Sequence, residues 1–369
     1  MEPLRLRAIL ARTPGLLARH VFACLADGAV LGGSLPSDLL TRLLSCVLPD
    51  RGRAWLIRPD ERLIDSDLRW IHANAGVILG CTDADFPPHL VRWPAAPAAL
   101  YVSGPTATLR AAPLALVGAR QVTPAGFETA RGFAAELTRG GLSIAAGMEE
   151  GVDTAAHEGV LAAGGTPIGL CVCGLDRVRA ARTAGLVTRI RHEATLISLF
   201  APGTPPRRHH FPMRSRLLGA LSRGVLVVEG ASGSGTPCSV EQARVLQRPV
   251  FAIPGSIRDP AARGCNQLIR AGASLVTQPG EILQELGFTD TNQPIRGHST
   301  VRSMPATRPS PLDNKYEMLL DAAGFEPVDI DVLVLRTGWS GHEVASMLLL
   351  LELQGRIAPQ PGGRYCRLS

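Results

Sequence analysis

Lysine is nearly missing from this chain: Lys315 is the only one in 369 residues. The formal net charge of +6 and the isoelectric point near 9.1 are therefore carried by arginine. Arginine presents a planar, permanently charged fork that suits phosphate, although arginine-favouring codons in a GC-rich genome would give the same bias. Aromatic residues are also scarce, at 4%. Base stacking, worth roughly 1–3 kcal/mol per base, is thus open at few positions. Any nucleic-acid affinity should come mainly from phosphate contacts, with strong salt dependence and little sequence preference.

Organised cysteine chemistry is missing as well. The cysteines at 24, 46, 81, 171, 173, 238, 265 and 366 form no C-x-x-C pair and have no histidines at finger spacing. That argues against a zinc finger or a disulfide scaffold and reads as reduced, mostly core residues. Cys171 and Cys173 would share one face of a strand as a packed pair, with metal binding as the alternative. No metal and no cofactor are expected. No window reaches the apolar length of a membrane span, and MEPLRLRAILARTPG lacks the apolar core and cleavage site of a signal peptide. The expectation is a soluble, cytoplasmic protein without a membrane partner.

What is present is ordinary globular composition, 46% hydrophobic and 19% charged, at a length that suits two or three folded units. Residues 1–75 carry helical periodicity, as in LLTRLLSCVL, and form a small helical domain. From residue 76 the text changes to short apolar runs and prolines, with an edge strand as one possible product. Between Pro113 and Leu286 strands alternate with amphipathic stretches: LALV, LSIAA, TPIGLCV, TLISLF, GVLVVE, PVFAIP and ASLV. This predicts an α/β fold with an extended Rossmann-like, mostly parallel sheet covered by helices on both faces, over 76–288. Residues 289–311, rich in Pro, Ser, Thr and Arg, read as a linker. Residues 312–369 read as three helices and a hairpin turning at Pro361-Gly362-Gly363, the winged-helix pattern.

Ligands of open parallel sheets bind beyond the carboxyl ends of the strands, so four loops are of interest. The first, Gly118-Ala-Arg120-Gln-Val-Thr123-Pro124, has neither G-x-G-x-x-G nor a Walker A lysine, which disfavours dinucleotide oxidoreductases and P-loop ATPases. It offers a glycine turn, an arginine and a Thr-Pro helix start whose free N–H groups favour an anion. A plain turn with a surface arginine is the alternative. The second, Gly147 to His157, places Asp153 and His157 four apart on one helix. A structural job is expected, with Asp153 capping the helix and His157 tying down a neighbouring loop; catalysis is the other reading. The third holds Arg207, Arg208, His209, His210, Phe211, Arg214 and Arg216 without an acidic residue. It suits a backbone-tracking site with one stacking platform, or else a solvated basic loop. The fourth supplies Ser234, Gly235 and Thr236 just before a helix, a phosphate cradle or an empty turn. Asn266 is a modest further candidate.

The order VGAR, TPAG, GMEEGVDTAAHEGVLAAGG, GLDRV, FPMRSRLLGALS, VLVVE, SGSGT, VFAIPG and RGCNQLIRAGA resembles the core of the DprA/Smf proteins over about 113–286. TPGLLARH, TDADFPPHL and ALYVSG resemble the approach to that core, and 312–369 the family's winged-helix end. The resemblance implies a Rossmann-like fold behind a SAM or helix-hairpin-like helical domain. It also implies a homodimer that binds single-stranded DNA, protects incoming DNA during natural transformation and helps load the RecA recombinase, with no catalytic residue. Gly118 and Arg120 match the family's V-G-S-R turn. Phe211, Arg214 and Arg216 match F-P-x-R-N-R, with Ser215 in place of asparagine, and Ser234, Gly235 and Thr236 fall on its S-G-S turn. There are departures. Glu149 and Glu150 stand where the G-x-A-x-G-I-D motif has alanine and then a basic or neutral residue, so both carboxylates should face the anion site. After GLDRV, Arg179, Ala180 and Thr183 replace the usual tyrosine-proline and asparagine.

Two other classes compete. A lysine-decarboxylase-like phosphoribohydrolase would use the SGSGT loop, but it wants a glutamate three residues after Thr236, where Ser239 stands, with Glu241 two later. A winged-helix transcription regulator would read duplex DNA with SGHEVASMLLLLELQGRI, a helix with Arg356 as its only basic residue.

Overall fold

The computed structural model describes residues 3–25, 38–178, 189–190, 193–230, 237–288 and 314–368. Expectations for the linker at 289–311, for Arg179, Ala180 and Thr183, and for Ser234, Gly235 and Thr236 lie outside the described residues.

Helices α1 (Pro3–Arg12), α2 (Ala18–Cys24), α3 (Leu39–Leu43), α4 (Asp50–Ile57) and α5 (Glu61–Asn74) precede the sheet. Asp60 caps α5 by accepting from the Arg62 N–H, and Ala75, at φ 49°, ends it in the left-handed conformation. These helices have no core of their own. Leu6, Ile9, Val21, Leu39 and Ile64 pack in one cluster with Ile78, Leu100, Ile168 and Leu196 of the sheet. A buried polar joint crosses the same seam: Asp67 accepts from Arg12 through both carboxylate oxygens at 2.6 Å, and from the Tyr101 hydroxyl at 2.8 Å.

The segment after residue 76 forms two strands, β1 (Gly76–Gly80) and β2 (Ala99–Ser103), separated by α6 (Pro88–Val91). Then come β3 (Leu114–Gly118), α7 (Pro124–Arg139), β4 (Ile144–Ala146), α8 (Val152–Ala162), β5 (Ile168–Cys171) and β6 (Thr195–Ser198). After these follow α9 (His210–Leu221), β7 (Gly224–Val228), α10 (Cys238–Val245), β8 (Val250–Ala252), α11 (Arg263–Arg270), β9 (Ser274–Leu275) and α12 (Pro279–Glu285). The strand order is β1-β2-β6-β5-β4-β3-β7-β8-β9. β1, β2 and β6 are joined antiparallel, and every pairing from β6 to β9 is parallel. The Rossmann-like, mostly parallel expectation holds, with two antiparallel strands added at one edge.

Both faces are covered because the helices are one-sided. In α7, Ala130, Phe133, Ala134 and Leu137 recur at three- and four-residue spacing and are buried against Leu116, Leu226 and Phe251. Thr123 starts α7, its hydroxyl accepting from the Gly126 N–H at 3.0 Å, with Pro124 in the first turn.

The C-terminal part folds as expected. α13 (Asn314–Ala323), α14 (Ile330–Thr337) and α15 (Gly341–Leu353) surround a separate core containing Leu320, Leu333, Leu348 and Ile357. β11 (Ile357–Gln360) pairs with β12 (Arg364–Arg367) across Gly362 and Gly363, both at positive φ, and the short β10 (Val328–Asp329) adds a third strand. Among the described residues no helix is long and apolar enough to cross a membrane.

Candidate functional site

β3 and β7 are neighbours, and a cleft of about 1230 Å³ opens beyond their carboxyl ends. One wall is the turn Gly118, Ala119, Arg120 and Gln121. A second is α9, through Phe211, Pro212, Arg214 and Ser215. The far side is Glu229 and Gly230 after β7, Arg244 from α10, and Gly264, Gln267 and Leu268 from α11. Gly118 is required there, since a Cβ would run into the Val228 carbonyl where the two strands close together.

The basic segment expected as a loop is helical from His210. Phe211, Arg214 and Ser215 then share a face at three- and four-residue spacing and point into the cleft, while Leu217, Leu218 and Leu221 pack inward. Pro212 is tolerated because first-turn N–H groups have no partner within the helix. Arg216 falls on another face and is exposed outside the cleft lining, as are Arg207 and Arg208 ahead of the helix. His210 is no surface cation: it is buried, donates from Nδ1–H to the Val172 carbonyl at 2.8 Å, and burial lowers its pKa. As a carbonyl only accepts, Nδ1 carries the proton in that contact. Phe211 meets Arg120, whose guanidinium carbon lies 4.8 Å from the ring centroid.

Arg214 is 8% exposed and forms an ion pair with Glu149. Its Nε is buried without a hydrogen-bond partner among the described residues. Gly147 makes room for this arrangement, because a Cβ there would meet both the Arg214 guanidinium and the Asp153 carboxylate. Glu149 and Glu150 therefore part company. Glu150 is exposed, whereas Glu149 is drawn inward, and burial pushes its carboxyl up to about 7 against the opposing pull of Arg214.

Asp153 does not cap α8, as the sequence suggested. Gly151 holds the N-cap position without a side chain to offer, and Asp153, the second residue of the first turn, accepts from the Glu149 N–H at 3.3 Å. His157 does tie down the loop: its Nε2–H donates to the Gly147 carbonyl at 2.7 Å, and full burial lowers its pKa and keeps it neutral. Both residues hold the Gly147–Gly151 loop in place.

The helix start at Thr123 is already filled. Glu229, held at φ 50° in the left-handed region, accepts from the Thr123 N–H at 2.9 Å and from the Thr123 hydroxyl. Burial raises its pKa, while the Thr123 hydrogen bonds lower it. At this helix start the Thr123 N–H is thus spent on an internal carboxylate, and the Gly126 N–H on the Thr123 hydroxyl. Asn266 faces away from the cleft and bridges Gly255 with its amide, accepting from the N–H at 3.3 Å and donating to the carbonyl at 3.0 Å. Its neighbour Gln267 takes the cleft position instead. Ser215 accepts from the Ser239 N–H at 3.0 Å, joining α9 to α10.

Sequence reasoning missed Arg244 and Gln267, which reach the cleft through helices whose amphipathic pattern signals only packing. Glu241, the nearest substitute for a phosphoribohydrolase glutamate, is exposed and does not line the cleft. Among the described residues no group of histidine, cysteine, aspartate and glutamate side chains could hold a metal.

Known proteins share this organisation. Residues 77–287 match the family described as DNA recombination-mediator protein A, and residues 303–363 match the DprA winged helix domain. Protein Smf of Escherichia coli is 35% identical over 309 residues, covering 84% of this chain and 82% of that protein. The X-ray structure of DNA processing protein A from Streptococcus pneumoniae superposes with a TM-score of 0.63 at 28% identity, over 76% of this chain and 96% of that one. The Helicobacter pylori protein, solved for its single-stranded DNA binding mode, gives 0.51 at 26% identity, over 57% of this chain and 95% of that one. With the family match spanning more than half its length, on the same sheet and with the same C-terminal unit, this chain belongs to the DprA/Smf family of DNA recombination-mediator proteins.

Proposed function

We propose that the cleft binds the backbone of single-stranded DNA with little sequence preference. The observation that carries this is the convergence of Arg120, Phe211, Arg214 and Arg244 on one cleft at the carboxyl end of the sheet. Three cations and a single aromatic ring suit a phosphate-tracking, base-tolerant site. The Helicobacter pylori relative, named for its single-stranded DNA binding mode, supports the same ligand. Arg207, Arg208 and Arg216, exposed around the cleft, would attract the strand from outside it. Ser234, Gly235 and Thr236 complete the reading as phosphate contacts.

On this reading the chain acts in the cytoplasm as a homodimeric mediator rather than an enzyme. It shields incoming single strands during natural transformation and passes them to RecA. The winged-helix unit serves protein contact or an accessory role, since Leu349, Leu350 and Leu353 are exposed on α15 where a groove reader needs polar donors. The direct test is RecA filament formation on strands already coated with single-strand-binding protein. Faster filament growth on adding this chain, together with protection of the strand from exonuclease, is expected. Protection without any effect on RecA would remove the loading step, and neither effect would remove the mediator reading.

A further inference from the structure

The carboxylate of Glu149 pairs with Arg214, the most buried cation of the cleft. The seat is built around this contact. Gly147 leaves the space, Asp153 fixes the backbone of Glu149, and His157 fixes Gly147. The Arg214 Nε nevertheless remains buried and unpaired among the described residues, so the carboxylate does not satisfy the whole fork. An anion with more oxygens would satisfy it better.

We propose that Glu149 is an internal occupant of the anion seat at Arg214, and that a DNA phosphate takes the seat only by displacing it, the released carboxylate then binding a proton from solvent. This rests on the proposed reading of the cleft and adds its regulation: binding is held back by Glu149 and weakens as pH rises.

The sign follows from the surroundings of Glu149. Arg214 faces it from α9, Arg120 from the β3–α7 turn, Asp153 and His157 from α8, and the thiols of Cys171 and Cys173 from the end of β5. Burial keeps His157 neutral and pushes both thiols up, so the charged neighbours are the two arginines and Asp153. Loss of Arg214 to a phosphate removes the main attraction that keeps Glu149 ionised and leaves the repulsion of Asp153. The carboxyl, near 7 before binding, moves upward on binding. Proton uptake therefore accompanies binding above about pH 7, and below that Glu149 already holds its proton, so affinity levels off.

The test is calorimetric titration of the full chain with a thymine homopolymer between pH 7 and 8.5, in two buffers of different ionisation enthalpy. The wild type is compared with Glu149→Ala and, as an isosteric control on folding, Glu149→Gln. Wild-type affinity should fall with rising pH by up to about tenfold per unit, with up to one proton taken up per protomer. Both variants should bind about tenfold or more tightly than wild type at pH 8.5 and take up no proton. Variants that keep the wild-type slope and proton count overturn the displacement alone. Failure of all three proteins to bind the homopolymer overturns the reading of the cleft, and the displacement with it.

Discussion

The guanidinium of Arg120 lies over the ring of Phe211, 4.8 Å from its centroid, and the two side chains line the same cleft. The contact joins the β3 turn to α9 and orients the one aromatic available for a base. Phe211→Ala should therefore weaken single-stranded DNA binding by about 1–3 kcal/mol, through loss of stacking and of the support under Arg120. Fluorescence anisotropy with a labelled oligonucleotide reads this directly, and affinity equal to wild type would show that Phe211 takes no part.

Asp67 ties α1 to β2 through Arg12 and Tyr101 in a site with no exposure of the carboxylate. Removing it strands a guanidinium and a phenol in the interior. Asp67→Ala is expected to lower unfolding free energy by about 3–5 kcal/mol, while Asp67→Asn, which still accepts hydrogen bonds, should cost less. Urea denaturation measures both. A loss below about 1 kcal/mol for alanine would mean the joint is not structural.

Glu229 holds Thr123, the N-cap of α7, by accepting from its N–H and its hydroxyl. Its loss should cost about 0.5–2 kcal/mol, the scale of a disrupted cap, and open the Thr123 helix start to phosphate. Glu229→Ala should thus melt earlier in buffer yet gain more thermal stability than wild type when inorganic phosphate is added. An identical phosphate response in both proteins would contradict this role.

Glu149 also predicts a pH dependence of stability. Its folded pKa, about 7, lies above the unfolded value, so the native state binds a proton more tightly than the unfolded one. That contribution is complete below the unfolded pKa, near 4.3–4.5, and declines as pH rises towards about 7, by at most about 1.4 kcal/mol per pH unit. Chemical denaturation at pH 5, 6 and 7 should show a shallower decline for Glu149→Ala than for wild type. Parallel declines would place the titration elsewhere.

Much of the framework was legible because it rests on local pattern. Short apolar runs gave the parallel strands, three- and four-residue spacing gave α7, and the glycines at 362 and 363 marked the terminal hairpin. Gly118 and Arg120 could be placed by the rule that loops after strands carry function. What escaped depends on distance in sequence. The contact of Glu229 with Thr123 spans 106 residues and the Arg214–Glu149 pair spans 65, so Glu149 could be turned toward the anion site without its partner being named, and nothing local marked Glu229 as the occupant of the helix start. Arginines and prolines made 201–216 look like a loop, although Phe211, Arg214, Ser215 and Leu218 already carried helical spacing. Asn266 and Gln267 differ by one residue, and only the packing of α11 decides which of them meets the cleft.

The measurement that bears most directly on the cleft is affinity for single-stranded against duplex DNA across a salt series, for wild type, Arg120→Ala and Arg214→Ala. The account predicts a single-strand preference, a linear fall of log affinity with log salt, and for each variant weaker binding with a slope shallower by roughly 0.7, the value of one lost phosphate contact on a single strand. Near-wild-type affinity and slope in both variants would contradict it.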